Sequence, residues 1–302
     1  MKDFKNIDSI VEAHQVLGLE SPDHPLISLI NMNNPRLRKN FGGQNYVLNL
    51  YHIGLKMGDI NAFGYGRNSY DFQDGAMAFI APGQVISPGD QEEGGNISGW
   101  MLLFHPDLLR QSNLSDKMDT YNFFSYSLNE ALHLSRKEKN SVTELVHKIE
   151  EEYNQNIDKH SQIVIISTLE LLLNYATRYY DRQFSTRTNN NKKYINRFEE
   201  LLKDYYKSNK HIEIGIPTVA YCGETLHISP KYLSDLLRKE TGRNTQDHIH
   251  SFIIEKAKNK LLNSSIPVSK IAYELGFVYP QYFSKLFKKT TDLSPSEYRN
   301  LN

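Results

Sequence analysis

The side chains with the widest chemical reach in this sequence are its histidines, its single cysteine and the polar residues of two C-terminal segments. Two histidines one residue apart on a strand, joined by a carboxylate and a third histidine, could hold a metal ion. That spacing is missing. His52 stands alone in its predicted strand, His105 precedes Pro106, and His248-x-His250 falls in a predicted helix where alternate residues point apart. These histidines are expected to be structural or to lie at the surface, and no metal or cofactor is expected. Cys222, without a second cysteine, cannot form an internal disulfide. The sequence contains no Gly-x-Ser-x-Gly elbow, phosphate-binding glycine loop or catalytic Cys/His arrangement, and Glu150-Glu151-Glu152 reads as a solvated charge run. Catalysis is not expected.

The C-terminal polar residues suit a different task. Cys222 to Gly242 and Ile271 to Asp292 repeat one pattern, offset by 49 residues before an internal turn and 50 after it. Each copy has an apolar residue followed by a tiny one (Cys222-Gly223; Ile271-Ala272), a leucine three positions later (Leu226; Leu275), a turn, then Tyr-Leu-Ser or Tyr-Phe-Ser and a basic end. This is the grammar of a helix-turn-helix, with the tiny residue permitting close helix approach. Gly276 suits the positive φ of the turn, and His227 stands in that place in the first copy. The second helix of each copy is expected to bury Tyr232, Leu233, Leu236 and Leu237, or Tyr282, Phe283, Leu286 and Phe287. The opposite face then presents Lys231, Ser234, Asp235 and Arg238, or Gln281, Ser284, Lys285 and Lys288, side chains suited to a DNA major groove. One such helix alone reads equally well as a solvated face. Two matched units about 215–242 and 266–292, joined by a predicted helix from Thr245 to Leu262, make spaced grooves the better reading. That helix carries apolar Ile249, Phe252, Ile253, Ala257 and Leu261.

Residues 192 to 302 resemble the DNA-binding domain of the AraC/XylS family of transcriptional regulators. The resemblance rests on Ile271-Ala272, Leu275-Gly276-Phe277, Tyr282-Phe283-Ser284, Phe287-Lys288-Lys289 and Ser294-Pro295-Ser296-Glu297-Tyr298-Arg299. It implies base reading by Lys231, Ser234 and Asp235 in the first unit and by Gln281, Ser284 and Lys285 in the second, and phosphate contacts by Arg238, Lys239, Lys288 and Lys289. Two positions depart from the family pattern: Asp292 stands where glycine is usual, and Asp235 where a basic residue is usual. A carboxylate there can still accept from cytosine.

The elements that must position these residues divide the 302-residue chain into more than one globule. Residues 1–112 read as a β domain, with strands expected at Tyr46 to Ile53, Asn61 to Tyr65, Ala76 to Ala81 and Ile97 to Phe104 between Gly, Pro, Asn and Asp punctuation. Residues 113–187 read as helical. Ser135 to Asn156 opens on a capping box with Glu138, and Ser161 to Phe184, carrying Ile163, Ile166, Leu169, Leu173 and Ala176, is apolar over an arc wide enough for a dimer interface or for complete burial in one domain. Residues 188–302 complete an α+β protein with the all-α double helix-turn-helix domain. In organisation, residues 1–187 are loosely similar to the cupin-like sensor and helical dimerisation region of many family members. A barrel of this kind can hold a small-molecule effector, and Tyr46, Tyr51, Tyr65, Arg67, Tyr70 and Trp100 are its candidate lining residues.

The formal charge is zero, yet from Lys192 onward there are 18 Lys and Arg against 12 Asp and Glu, a net of +6 that leaves −6 for residues 1–191. A basic C-terminal part fits a polyanion. The expected reading is a cytoplasmic, homodimeric, effector-responsive transcription factor, without a membrane segment, that binds double-stranded DNA. The resemblance implies recruitment of RNA polymerase and activation rather than repression. The competing readings are a constitutive DNA-binding regulator whose β domain only dimerises, and a cupin-type enzyme with a DNA-targeting domain.

Overall fold

The computed structural model describes residues 4–37, 44–57, 75–86, 98–155, 158–186 and 188–300. They form two units, Met1–Gln183 and Phe184–Asn302. Both sheets lie in the first and the second is helical, giving the expected α+β chain.

The first unit begins with β1 (Phe4–Ile7) and α1 (Ile10–Leu17), which the punctuation of the sequence did not reveal. Ser9 caps α1 by accepting from the Glu12 amide at 3.2 Å, and Gly18 ends it in the left-handed conformation. There follow β2 (Ile27–Asn31), β3 (Asn45–Leu48), β4 (Tyr51–Met57), β5 (Ala76–Ile80), β6 (Gln84–Ile86), β7 (Ser98–Phe104), α2 (Asn113–Lys117) and β8 (Leu132–His133). The expected single strand from Tyr46 to Ile53 is two: β3 and β4 belong to different sheets, with the chain changing sheet at Asn49-Leu50. Alternation alone continues smoothly through such a break. The strand expected at Asn61 to Tyr65 lies outside the described residues.

The smaller sheet has the order β1-β3-β6 and the larger β2-β7-β4-β5-β8. Between them α1 and the inner strand faces bury Ile7, Ile10, Ile30, Tyr46, Leu48, Leu50, Ile80 and Leu103. The other face of the larger sheet is covered by α3 (Arg136–Asn154), α4 (Ser161–Thr186) and the aromatic segment around Phe123-Phe124, whose rings stand 4.4 and 5.6 Å from that of Phe79. Two hydrogen bonds fasten α3 to this sheet: the Tyr153 hydroxyl accepts from the Leu29 amide at 3.0 Å, and the Trp100 indole donates to the Thr143 hydroxyl at 3.1 Å. The Ser135/Glu138 capping box forms as the sequence predicts. In α4 Leu169, Leu173 and Ala176 are buried as expected, joined by Ile165 and Leu172, whereas Ile166 is half-buried and Ile163 is 63% exposed.

The second unit contains α5 (Thr188–Lys207), α6 (Lys210–Ile214), α7 (Val219–Leu226), α8 (Pro230–Thr241), α9 (Thr245–Asn263), α10 (Val268–Glu274), α11 (Pro280–Thr291) and α12 (Pro295–Arg299). α9 is its axis. An Asn244/Asp247 capping box starts it, and Ile249, Ile253, Ile254, Ala257 and Leu261 are buried along it. Phe252, expected in that stripe, is half-buried, its ring 5.5 Å from that of Tyr206 with the Lys256 ammonium over it at 5.3 Å. Among the described residues no helix is long and apolar enough to cross a membrane.

Candidate nucleic-acid interface

Each helix-turn-helix is built by the local rules its sequence anticipates. In the first, Thr218 caps α7 by accepting from the Tyr221 amide at 3.1 Å, and the helix ends at His227 in the left-handed conformation (φ 59°). The His227 and Ile228 amides donate back to the carbonyls of Glu224 and Gly223 at 3.2 and 3.0 Å, which closes the turn. Ser229 then caps α8, with Pro230 in its first turn. In the second unit α10 runs into Gly276 (φ 91°), the Phe277 amide donates to the Ala272 carbonyl at 3.1 Å, and α11 starts at Pro280 after Tyr279, which provides no side-chain cap.

The two units are held by a shared frame. The Tyr206 hydroxyl donates to the Leu275 carbonyl at 3.1 Å, fixing α5 against the second turn. Lys260 and Glu274 pair at 2.6 Å between α9 and α10, and Arg299 donates to the Ile266 carbonyl at 2.5 Å. At the other end the Asn191 amide donates to the Phe184 carbonyl and the Glu240 carboxylate at 2.5 and 2.6 Å. Cys222 is fully buried in α7, and desolvation pushes its thiol up to about 12, so it acts as a small apolar packing group.

On this frame the expected base-reading residues are unequally available. Lys231, Gln281 and Lys285 are exposed, as are Arg238, Lys239, Lys288 and Lys289 at the basic helix ends. Ser284 is half-buried. Ser234 is also half-buried and its hydroxyl donates to the buried Thr245 hydroxyl at 3.0 Å, tying α8 to α9. Asp235 lies 3.5 Å from the Arg238 guanidinium one turn on. The buried stripe of α8 is Tyr232, Leu233, Leu236 and Leu237, as the repeat predicts. That of α11 is Phe283 and Phe287 alone: Leu286 is half-buried, and Tyr282 is 66% exposed. The expectation for Tyr282 came from its alignment with Tyr232, which is 5% exposed because the Phe184 ring covers it at 5.1 Å. Phe184 lies outside the repeat. The alignment therefore carried no sign of the difference.

The histidines expected to be structural have distinct partners. His248 pairs with the Thr241 hydroxyl at 2.7 Å and His250 with the Gln246 side chain at 2.6 Å, while His105 accepts from the Asp107 amide at 3.1 Å to start a turn of 3-10 helix. His14 is buried between the Ser28 hydroxyl at 2.8 Å and the Glu20 carbonyl at 2.6 Å.

Of the six expected effector-lining residues, the three that are described, Tyr46, Tyr51 and Trp100, do not share one face. Tyr46 belongs to the core between the two sheets. Tyr51 stacks on Phe104 at 4.9 Å and Trp100 bonds to Thr143, both on the helix-covered face. Tyr65, Arg67 and Tyr70 lie outside the described residues. The inner face instead carries His52, in register with Leu103 and Ile80 of that core, and Lys56, in register with Gly99 and Ala76. Desolvation, with a smaller contribution from Lys56, lowers His52 to about 3, and desolvation lowers Lys56 to about 8. Their spacing of four on one strand was the legible signal that both share a face.

Residues 222–301 match a family described as "Helix-turn-helix domain". The chain is 34% identical over 100 residues to the uncharacterized HTH-type transcriptional regulator YijO of Escherichia coli K12, a stretch covering 33% of this chain and 34% of that protein. It is 32% identical over 79 residues to the xylose operon regulatory protein of the same strain, covering 26% of this chain and 20% of that one. The chain thus spans about a third or less of the length of these two relatives. Among solved structures, the C-terminal domain of the two-component response regulator yesN from Fusobacterium nucleatum is 31% identical, with 33% of this chain and 96% of that one covered and a TM-score of 0.30. The C-terminal unit of this chain carries a helix-turn-helix domain of the AraC type.

Proposed function

We propose that this protein is a sequence-specific transcription factor that binds double-stranded DNA through both helix-turn-helix units. The observation that carries this reading is the pairing of two such units about one buried strut, α9, each presenting an exposed basic helix. Base reading falls to Lys231, Gln281, Ser284 and Lys285, with Ser234 and Asp235 reaching bases only after giving up their internal partners, and phosphate contact to Arg238, Lys239, Lys288 and Lys289. The β part of residues 1–112 acts as a cupin-like sensor for a small molecule, and His52 and Lys56 on the face between its sheets are the polar groups such an effector meets. The helical part of residues 113–187 dimerises, a role supported by the exposed apolar Ile163, Val164 and Leu171 of α4. The family resemblance favours activation with RNA polymerase as the partner.

The test is fluorescence anisotropy of the full chain on its own upstream DNA and on scrambled DNA over a salt series, with Lys285→Ala alongside. Preference for the upstream DNA that is lost in the variant supports specific major-groove reading. Absence of binding to any duplex at low salt overturns it.

A further inference from the structure

We propose that Tyr279 and Tyr282 form an apolar reader of thymine methyl groups at the entry of α11, so that the second helix-turn-helix sets the thymine positions of the bound sequence; this rests on the DNA-binding reading above. The internal repeat supplies the comparison that reveals the site. Tyr232 and Tyr282 occupy the same place in the two copies, yet Tyr232 is sealed beneath Phe184 whereas Tyr282 stands open. Tyr282 is not alone: Tyr279 is 57% exposed with its ring edge-on at 5.8 Å, and Val278 beside it is 71% exposed. Large apolar groups clustered in this way mark a surface that meets a partner.

The charge around the cluster identifies that partner as duplex DNA. α11 carries Lys285, Lys288 and Lys289 and no acidic residue from Pro280 to Thr291, whereas α8 offsets its three cations with Asp235 and Glu240. Tyr282 lies one turn before Lys285 and next to Gln281, and so borders the face expected to enter the groove. In the major groove thymine differs from the other bases by its C5 methyl, which apolar side chains read by contact. The first unit has no equivalent: its tyrosine is buried, its serine is bonded to Thr245 and its aspartate faces Arg238.

The experiment begins with selection of duplexes from random DNA by the full chain. Thymines of the selected sequence are then replaced singly by deoxyuridine, which removes only the methyl, and affinities are measured for the native protein, Tyr279→Ser, Tyr282→Ser and Tyr282→Phe. At one or two positions the replacement is expected to weaken native binding about four-fold, the value of one buried methyl group. That sensitivity should vanish in Tyr282→Ser or Tyr279→Ser and persist in Tyr282→Phe. A selected sequence with no uridine-sensitive position overturns the inference while leaving DNA reading intact. So does sensitivity unchanged in both serine variants, or a serine variant that alters only the oligomeric state in sedimentation, which would make the cluster a protein interface. Failure to select any sequence overturns the DNA-reading assignment itself, and the inference with it. Because both side chains are exposed, unchanged helicity accompanies the expected result, with melting unchanged in the Tyr282 variants and unchanged or raised in Tyr279→Ser, which places serine at the N-cap of α11.

Discussion

Gly223 in α7 lies so close to the turn it precedes that a Cβ added to it would stand 2.8 Å from the carbonyl oxygen of Ile228. Backbone, not a flexible side chain, blocks the position, and Pro230 crowds it further at 3.1 Å. Overpacking of this kind costs about 1–3 kcal/mol, more than the roughly 1 kcal/mol that alanine adds in a helix interior. Gly223→Ala is therefore expected to destabilise the second unit by up to about 2 kcal/mol, read as faster amide exchange in α7 and α8. The repeat has alanine at the equivalent Ala272, so the approach there is wider. Ala272→Gly should cost the helix propensity, about 1 kcal/mol, and the loss of its buried methyl, about 0.8 kcal/mol more.

In the repeat, α7 ends at His227 (φ 59°) and α11 at Asp292 (φ 62°) in the left-handed conformation without glycine. A side chain in that region costs roughly 1 kcal/mol relative to glycine, although aspartate is among the better tolerated residues. Asp292→Gly is expected to raise the stability of the second unit by up to about 1 kcal/mol in denaturant titration followed by helical circular dichroism, with affinity for DNA unchanged because the residue follows the last turn of α11. Loss of stability would mean that the carboxylate contributes more than its backbone strain.

What was legible in the sequence was what short-range rules govern. The caps at Ser135 and Ser229, the turn at Gly276 and the stripe from Tyr232 to Leu237 are each fixed by residues within one or two turns. What was not legible depended on partners far along the chain. Tyr282 differs from Tyr232 through Phe184, 48 residues before Tyr232 and outside the first copy. Tyr46 and Tyr51 separate because the chain changes sheet between Leu48 and Tyr51, and β1 and α1 were missed because their burial comes from strands outside their own segment. Among the candidate site residues the sequence identified the basic faces but not the internal bonding of Ser234 to Thr245, which a helical wheel cannot show.

His52 makes the first unit sensitive to acid. Its folded value of about 3 lies below the ordinary 6.5, so the unfolded chain takes up a proton that the folded one refuses. Stability is full above pH 6.5 and is lost as pH falls toward 3, by on the order of 2 kcal/mol at pH 5. Lys56, lowered from 10.5 to about 8, acts in the same direction between pH 10.5 and 8. Trp100 is the only tryptophan of the chain and is buried in β7, so indole fluorescence reports this unit alone. Denaturation followed at Trp100 should show stability falling from pH 7 to pH 5, and His52→Gln should flatten that slope. An equal slope in the variant would assign the acid sensitivity to other groups.

Gln281 and Lys289 both lie exposed on α11, yet their substitutions should differ in kind. A glutamine amide can bond in bidentate fashion to adenine, so Gln281→Ala is expected to cost about 1–3 kcal/mol on the preferred sequence and little on scrambled DNA, narrowing the ratio between them. A lysine at the basic end of the helix meets phosphate, which is the same in every sequence. Lys289→Ala should weaken both duplexes alike and reduce the slope of log affinity against log salt by about 1. Measured side by side over one salt series, a uniform loss in both variants would show that α11 binds the backbone without reading bases. The thymine reader at Tyr279 and Tyr282 would fall with it, since both require the entry of this helix to reach the floor of the groove.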